Sequence, residues 1–269
     1  MQPLASLPST VASTLIGVLA DIDDTITTDG RLTPEAYNAM SRVQHAGLLM
    51  IPITGRPAGW CDHIARLWPV DGVVGENGAF YFRYDHQARK FLSRFEIPDQ
   101  QAQDNRTKMK AIAERILAEV PGTALASDQP YRIADIAIDF CEDVDPLPPH
   151  AVNQIVEMMT AEGLTAKVSS IHVNGWFGTY DKLTMTRTFL QDCFSIDIEK
   201  ARERFVFVGD SPNDQPMFSF FPNAVGVANL RGFSEQLDQP PAYITTGEGG
   251  TGFSELVDAL ICARSEATV

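Results

Sequence analysis

Two aspartates stand two residues apart where an apolar run ends, in the order Asp21-Ile22-Asp23-Asp24-Thr25. A chain leaving its pleat there can bring both carboxylates to one site while giving them different surroundings, which suits two roles. One carboxylate can attack phosphorus and carry the phosphoryl group covalently. The other can protonate a departing alcohol and later take a proton from water. Three further polar elements fit the same chemistry: Thr54-Gly55-Arg56, Lys182, and Gly209-Asp210-Ser211-Pro212-Asn213-Asp214. Taken singly, each reads as a turn, a surface lysine or a solvated acidic loop. Three polar clusters that each end a buried run are harder to read as punctuation alone.

Charge makes a cation necessary. Asp21, Asp23, Asp210 and Asp214 outnumber Lys182, and each carboxylate ~4 Å from a phosphate opposes it by roughly 4 kcal/mol at an effective dielectric of 20. Oxygen ligands without histidine or cysteine select a hard ion, and Mg2+ also bridges phosphate oxygens. Thr54 offers a hydroxyl and Gly55 an unobstructed backbone N–H to those oxygens. Lys182 supplies a point charge; Lys167 is its rival, in a different part of the chain.

The elements that must position these groups are legible in outline. LIGVLA runs into Asp21, LLMIPI into Thr54 and FVFV into Gly209, and continuous apolar runs are what a parallel sheet buried on both faces requires. A helix over Pro34 to Ala46, capped by Thr33 and stopped by Gly47, joins the first two runs as a β-α-β unit. Ligands of such sheets bind beyond the carboxyl ends of the strands. The middle of the chain differs. It predicts a hairpin over Arg83 to Phe95, a helix over Asn105 to Val120, a strand over Asp135 to Phe140, a helix over His150 to Glu162, and one strand through LTAKVSSIHVN. Helices near Thr184 to Phe194 and Ser254 to Cys262 then resume the β-α pattern.

The order of these elements resembles the haloacid dehalogenase-like phosphatases, over about 195 residues from Asp21 to Asp214. The resemblance implies an α/β fold: a Rossmann-like parallel-sheet core over 1–84 and 179–269, with an α+β cap inserted over 85–178. It makes Asp21 the nucleophile and Asp23 the acid–base partner. Mg2+ falls to the Asp21 carboxylate, the Asp23 backbone carbonyl and Asp210, with Asp214 steadying a ligand. Asp24, Gly55, Arg56 and Asn213 fall at substrate-binding positions. Asp24 stands where the family often has glycine, adding a charge beside the phosphate. The insertion point after the second motif and Gly75-Glu76-Asn77-Gly78-Ala79 resemble the branch, subclass IIB, that contains sucrose-, trehalose- and mannosylphosphoglycerate-phosphate phosphatases and phosphomannomutases. Glu76 and Asn77 are then candidates to face the cap, and Arg132, His172, Asn174 and Trp176 candidates to read a sugar.

The resemblance implies hydrolysis of a small phosphorylated metabolite, a sugar phosphate foremost, by a monomer or small homo-oligomer. A sugar phosphomutase on the same scaffold is the nearest alternative, and a silent phosphometabolite-binding protein the next. The mutase needs a basic cap, which this segment lacks. A phosphoacceptor signalling domain is about half this length and has no insertion. Over 269 residues the net charge is −14 and the pI about 4.7, which repels nucleic acid and anionic lipid alike. Four scattered cysteines give no zinc or disulfide pattern, and no apolar run approaches the ~20 residues that span a bilayer. A reduced cytoplasm is the expected setting.

Overall fold

The computed structural model describes residues 1–267. In chain order the elements are β1 (Gln2–Pro3), α1 (Ser9–Ala12), β2 (Gly17–Ala20), α2 (Pro34–His45), β3 (Leu49–Pro52), α3 (Ala58–Leu67), β4 (Val73–Gly75), β5 (Phe80–Asp85) and β6 (Lys90–Phe95). There follow α4 (Asp99–Glu119), β7 (Ala124–Leu125), β8 (Ile136–Asp139), α5 (Pro149–Ala161), β9 (Thr165–Val168) and β10 (His172–Trp176). The last group is α6 (Lys182–Phe194), α7 (Ile198–Ala201), β11 (Phe205–Gly209), α8 (Gln215–Phe220), β12 (Val225–Gly226), β13 (Tyr243–Ile244) and α9 (Gly249–Ala267).

Six strands form one parallel sheet in the order β1-β13-β12-β11-β2-β3. Successive residues of a strand point to opposite faces, and the core divides accordingly. Val18, Met50, Val206 and Val208 pack beneath α2 and α9, whereas Leu19, Ile51, Phe205 and Phe207 pack against Phe189 of α6 and Met217 of α8. Burial on both faces is why these strands read as unbroken apolar runs. The result is the α/β architecture expected.

The hairpin β5–β6, which the boundary expected near Tyr84 would divide, pairs with β4. A bridge from Ile53 to Val74 ties β4 to the end of β3. Phe80 and Phe82 join the main core, so the hairpin extends the core rather than the inserted unit.

The inserted unit has its own antiparallel sheet, β7-β8-β10-β9, covered by α4 and α5. Met109, Ile112, Ile116, Ile155 and Met159 of the helices pack there on Ile136, Ile138 and Val173. LTAKVSSIHVN is not one strand. It breaks at Ser169, whose Oγ accepts from the backbone N–H groups of Ile171 and His172, and it reverses as β9 and β10. A serine hydroxyl standing in for a backbone acceptor makes such a turn, and apolar patterning does not record it. Most helices also extend beyond their expected limits: α4 begins at Asp99 and α9 at Gly249. Among the described residues no helix is long and apolar enough to cross a membrane.

Candidate active site

β2, β3 and β11 are neighbours running in parallel, so their carboxyl ends open on one edge of the sheet, and Asp21, Thr54 and Asp210 follow them there. Asp21 leaves the sheet with its N–H still donating to the Val208 carbonyl at 2.9 Å. Asp214 turns back from a short helical turn, and its Oδ2 accepts from the Asp210 N–H at 3.2 Å. Gly209 permits this, because a side chain there would strike the Asp214 carboxylate. Asp21, Asp210 and Asp214 are all buried, and each offers an oxygen within 4.8 Å of the others.

Lys182 closes the cluster. It is the first residue of α6, whose N-cap Asp181 accepts from the Thr184 N–H at 2.7 Å. The Asp181 carbonyl lies against Gly78, where any side chain would collide with it. The Glu76–Gly78 loop thus sets where α6 starts. From there Lys182 Nζ donates to Asp21 Oδ1 and Asp214 Oδ1, each at 2.8 Å, while Lys167 is exposed on β9. Thr25 donates to Asp210 Oδ1 at 3.1 Å. Thr25 stands within the first motif, but its residue type and position there do not disclose this partner.

Burial pushes the Asp21 carboxyl up to about 7, with Asp214 and Asp23 adding to the rise and Lys182 opposing it. Burial likewise lifts Asp210 well above the usual range, reinforced by Asp21 and Asp214. Burial pulls the Lys182 ammonium the other way, but Asp21 and Asp214 outweigh it and hold its pKa above the ordinary value. One ammonium facing three buried carboxylates leaves an uncompensated charge of two. An all-oxygen donor set with that deficit fits a hard divalent cation.

Asp23 meets a different partner. Arg56 Nε donates to both its carboxylate oxygens, at 2.9 and 3.0 Å. The same guanidinium reaches Glu142 at 2.7 Å and Asp128 at 3.3 Å, both in the inserted unit. Arg132, also in that unit, pairs with Asp128 at 2.8 Å and Asp135 at 3.0 Å, and it donates to the Gly55 carbonyl at 2.8 Å. Glu76 is fully buried and accepts backbone N–H groups from both sides of the cleft: Ala58 at 2.9 Å, Ile133 at 3.0 Å and Ala134 at 2.6 Å. Burial pushes its carboxyl up to about 8, with Asp135 adding to the rise. The inserted unit is therefore clamped down. Between it and Asp21, the space bounded by Asp23, Gly55, Ser170, His172 and Asn174 is about 10 Å³, room for roughly one water.

Several sequence candidates are already engaged. Thr54 Oγ1 accepts from the Arg56 N–H at 2.9 Å. Asp24 has φ of +55°, where glycine is unstrained and aspartate is tolerated. Its N–H donates to Thr27 Oγ1 at 3.1 Å. Its carboxyl is pushed up by burial, with Ser170 of the inserted unit hydrogen-bonded to it and opposing the rise. Asn213 accepts from Ser211 at 2.9 Å and lines the small space. Asn77, at φ of +55°, presses its amide against Gly55 and leaves Nδ2 buried without a partner. Trp176 is buried, donating to the Tyr180 carbonyl at 3.2 Å; it is a packing residue and not a sugar reader. A larger cavity of about 610 Å³ beneath α4 meets the site at Arg132, Ile133 and Asp135.

A parallel core, an inserted α+β unit over its strand ends, and buried carboxylates around one lysine make an arrangement similar to that of haloacid dehalogenase-like hydrolases. The family model described by that name matches residues 18–127. Solved structures agree in fold. A Thermoplasma acidophilum protein superposes with a TM-score of 0.68 at 15% identity, covering 92% of this chain and 99% of its own. Sucrose-phosphatase from Synechocystis, in complex with sucrose and phosphate, gives 0.61 at 17%, covering 92% and 98%. A haloacid dehalogenase-like hydrolase from B. subtilis gives 0.62 at 14%, covering 90% and 98%. No curated protein matches the chain.

Proposed function

We propose that the protein is a Mg2+-dependent phosphatase that hydrolyses a phosphate monoester of a small metabolite, a sugar phosphate foremost, through an aspartyl-phosphate on Asp21. The observation that carries this reading is the Lys182 ammonium held 2.8 Å from both Asp21 and Asp214 within the buried carboxylate cluster. Asp21, Asp210 and Asp214, with the Asp23 carbonyl, are the groups that would hold Mg2+, which supplies charge neutralisation at the phosphoryl oxygens.

Lys182 keeps Asp21 ionised against the cost of burial and orients it for attack. Asp23 gives its proton to the leaving alcohol and then takes one from the water that cleaves the acyl-phosphate. Gly55, Thr54, Asn213 and the unpartnered Asn77 amide surround the phosphoryl oxygens. The inserted unit, placed at about 98–178, is a cap that opens to admit substrate and closes to exclude water. The sucrose-phosphatase of like fold supports phosphoester chemistry on this scaffold. A cytoplasmic setting and a monomer or small homo-oligomer complete the reading.

A panel of sugar phosphates, nucleotides, pyridoxal phosphate and phosphoglycolate tests it. Phosphate release that needs Mg2+ and disappears with Asp21→Ala is expected. Turnover that survives Asp21→Ala would sink it.

A further inference from the structure

Asp23 and Arg56 line two cavities, and among the described residues no other is common to both. One is the small space over Asp21. The other, about 390 Å³, runs along the core on a different side of the ion pair, and its size falls in the range of small-molecule sites, roughly 300–1,000 Å³. Its walls are Ile22 and Leu32 from the loop after β2, Trp60, His63 and Ile64 from α3, and Trp68 just beyond that helix. Trp60 is 43% exposed, and the Arg56 guanidinium stacks over its ring at 4.5 Å.

The chemistry of Asp21 and Asp23 gives this groove a place in the reaction. When Asp21 bonds to phosphorus, the ester P–O bond breaks and the departing oxygen takes its proton from Asp23. The departing alcohol must therefore lie on the Asp23 side. The groove begins at that same carboxylate, and the residues that line it all belong to the core, so it is open even where the inserted unit is clamped down. Thr27 Oγ1 is engaged, donating to the Ile22 carbonyl and accepting from the Asp24 N–H, each at 3.1 Å, so the polar side chains left to the groove are the His63 imidazole and the Asp23–Arg56 pair at its mouth. Most of the remaining wall is ring surface and aliphatic surface. Such walls favour a flat apolar face and leave a densely hydrogen-bonding ligand unsatisfied.

Given the phosphoryl transfer proposed above, we propose that this groove is the leaving-group subsite, and that the substrate alcohol carries a ring whose apolar face stacks on Trp60. An aromatic ring and the C–H face of a pyranose share that chemistry. Arg56 is then a positioning residue, holding Asp23 at the mouth of the groove while its own stacking fixes the Trp60 ring.

The test compares kcat/KM on p-nitrophenyl phosphate, a hexose 6-phosphate and ringless glycerol 3-phosphate. Trp60→Ala is expected to lower the ratio of ring-bearing to ringless substrate at least tenfold, mainly through KM, and Trp60→Phe to restore most of it. A drop confined to p-nitrophenyl phosphate assigns an aromatic alcohol, and one confined to the hexose phosphate a sugar. An unchanged ratio overturns the subsite. Binding provides a second readout that does not need turnover. In Asp21→Asn, tryptophan fluorescence titrated with p-nitrophenyl phosphate should give at least tenfold tighter binding than inorganic phosphate, and adding Trp60→Ala should erase the difference. Equal affinities in Asp21→Asn itself overturn the proposal. Failure of every ester to turn over, with that difference intact, would instead fault the phosphoryl transfer.

Discussion

Asp23 of the core and Glu142 of the inserted unit share one guanidinium: Arg56 Nε lies 2.9 Å from the first and Nη2 2.7 Å from the second. The group proposed to move protons is thus tied to the unit proposed to close over it. Arg56 and Asp128 are buried and Glu142 half-buried, so the contact is shielded from the solvent screening that weakens surface pairs.

Cutting that tie should loosen the cap without unfolding the core. Glu142→Ala is expected to raise amide hydrogen exchange in the Ser169–His172 turn and in β10, and to leave β2 and β11 protected. Uniform exchange across both units, or none gained in the cap, would show that the pair does not hold it closed.

Lys182 is predicted to matter for stability and for chemistry together. Removing one partner of a buried ion pair leaves the other uncompensated and costs about 3–5 kcal/mol. Lys182→Met should therefore lower Tm, and added Mg2+ should recover part of the loss by taking over the charge. A Tm unmoved by the substitution would mean that the carboxylates are balanced elsewhere.

Glu76 carries a pH signature. Its carboxyl, ordinarily near 4.5, is pushed up to about 8 by burial, so the folded chain binds the proton more tightly than the unfolded one. The stability from this group is full below about 4.5 and is lost as pH rises through about 8. Glu76→Gln should flatten that part of the Tm-versus-pH curve. A slope identical to that of the parent would assign it to other groups.

How much of this was legible depended on the kind of signal each residue gives. The α/β core was readable because two-sided burial imposes continuous apolar runs, and polar clusters ending those runs pointed to Asp21, Thr54 and Asp210. Lys182 was picked by its place in the motif order; its true setting depends on Gly78 packing against Asp181, a contact between residues over a hundred positions apart. Arg56 stands in sequence at a substrate-binding position, yet its partners Asp128 and Glu142 lie 72 and 86 residues away and follow no local pattern. The same holds for Trp60, which on α3 reads simply as a helix residue. The turn at Ser169 was hidden because a hydroxyl replaces a backbone acceptor inside an otherwise strand-like run.

Metal dependence should be sharp. EDTA is expected to abolish phosphate release and Mg2+ to restore it, with Asp210→Asn raising the Mg2+ needed for half-maximal rate. Full activity in EDTA would contradict the assignment of the carboxylate cluster.

The most direct measurement is acid quench of the enzyme during turnover, followed by peptide mass mapping. A phosphoryl group on the peptide containing Asp21, absent in Asp21→Asn, is predicted, together with a fall in kcat of at least about 1,000-fold in that variant. Phosphate release at the parent rate from Asp21→Asn, or a phosphoryl group mapped to a different residue, would contradict the account.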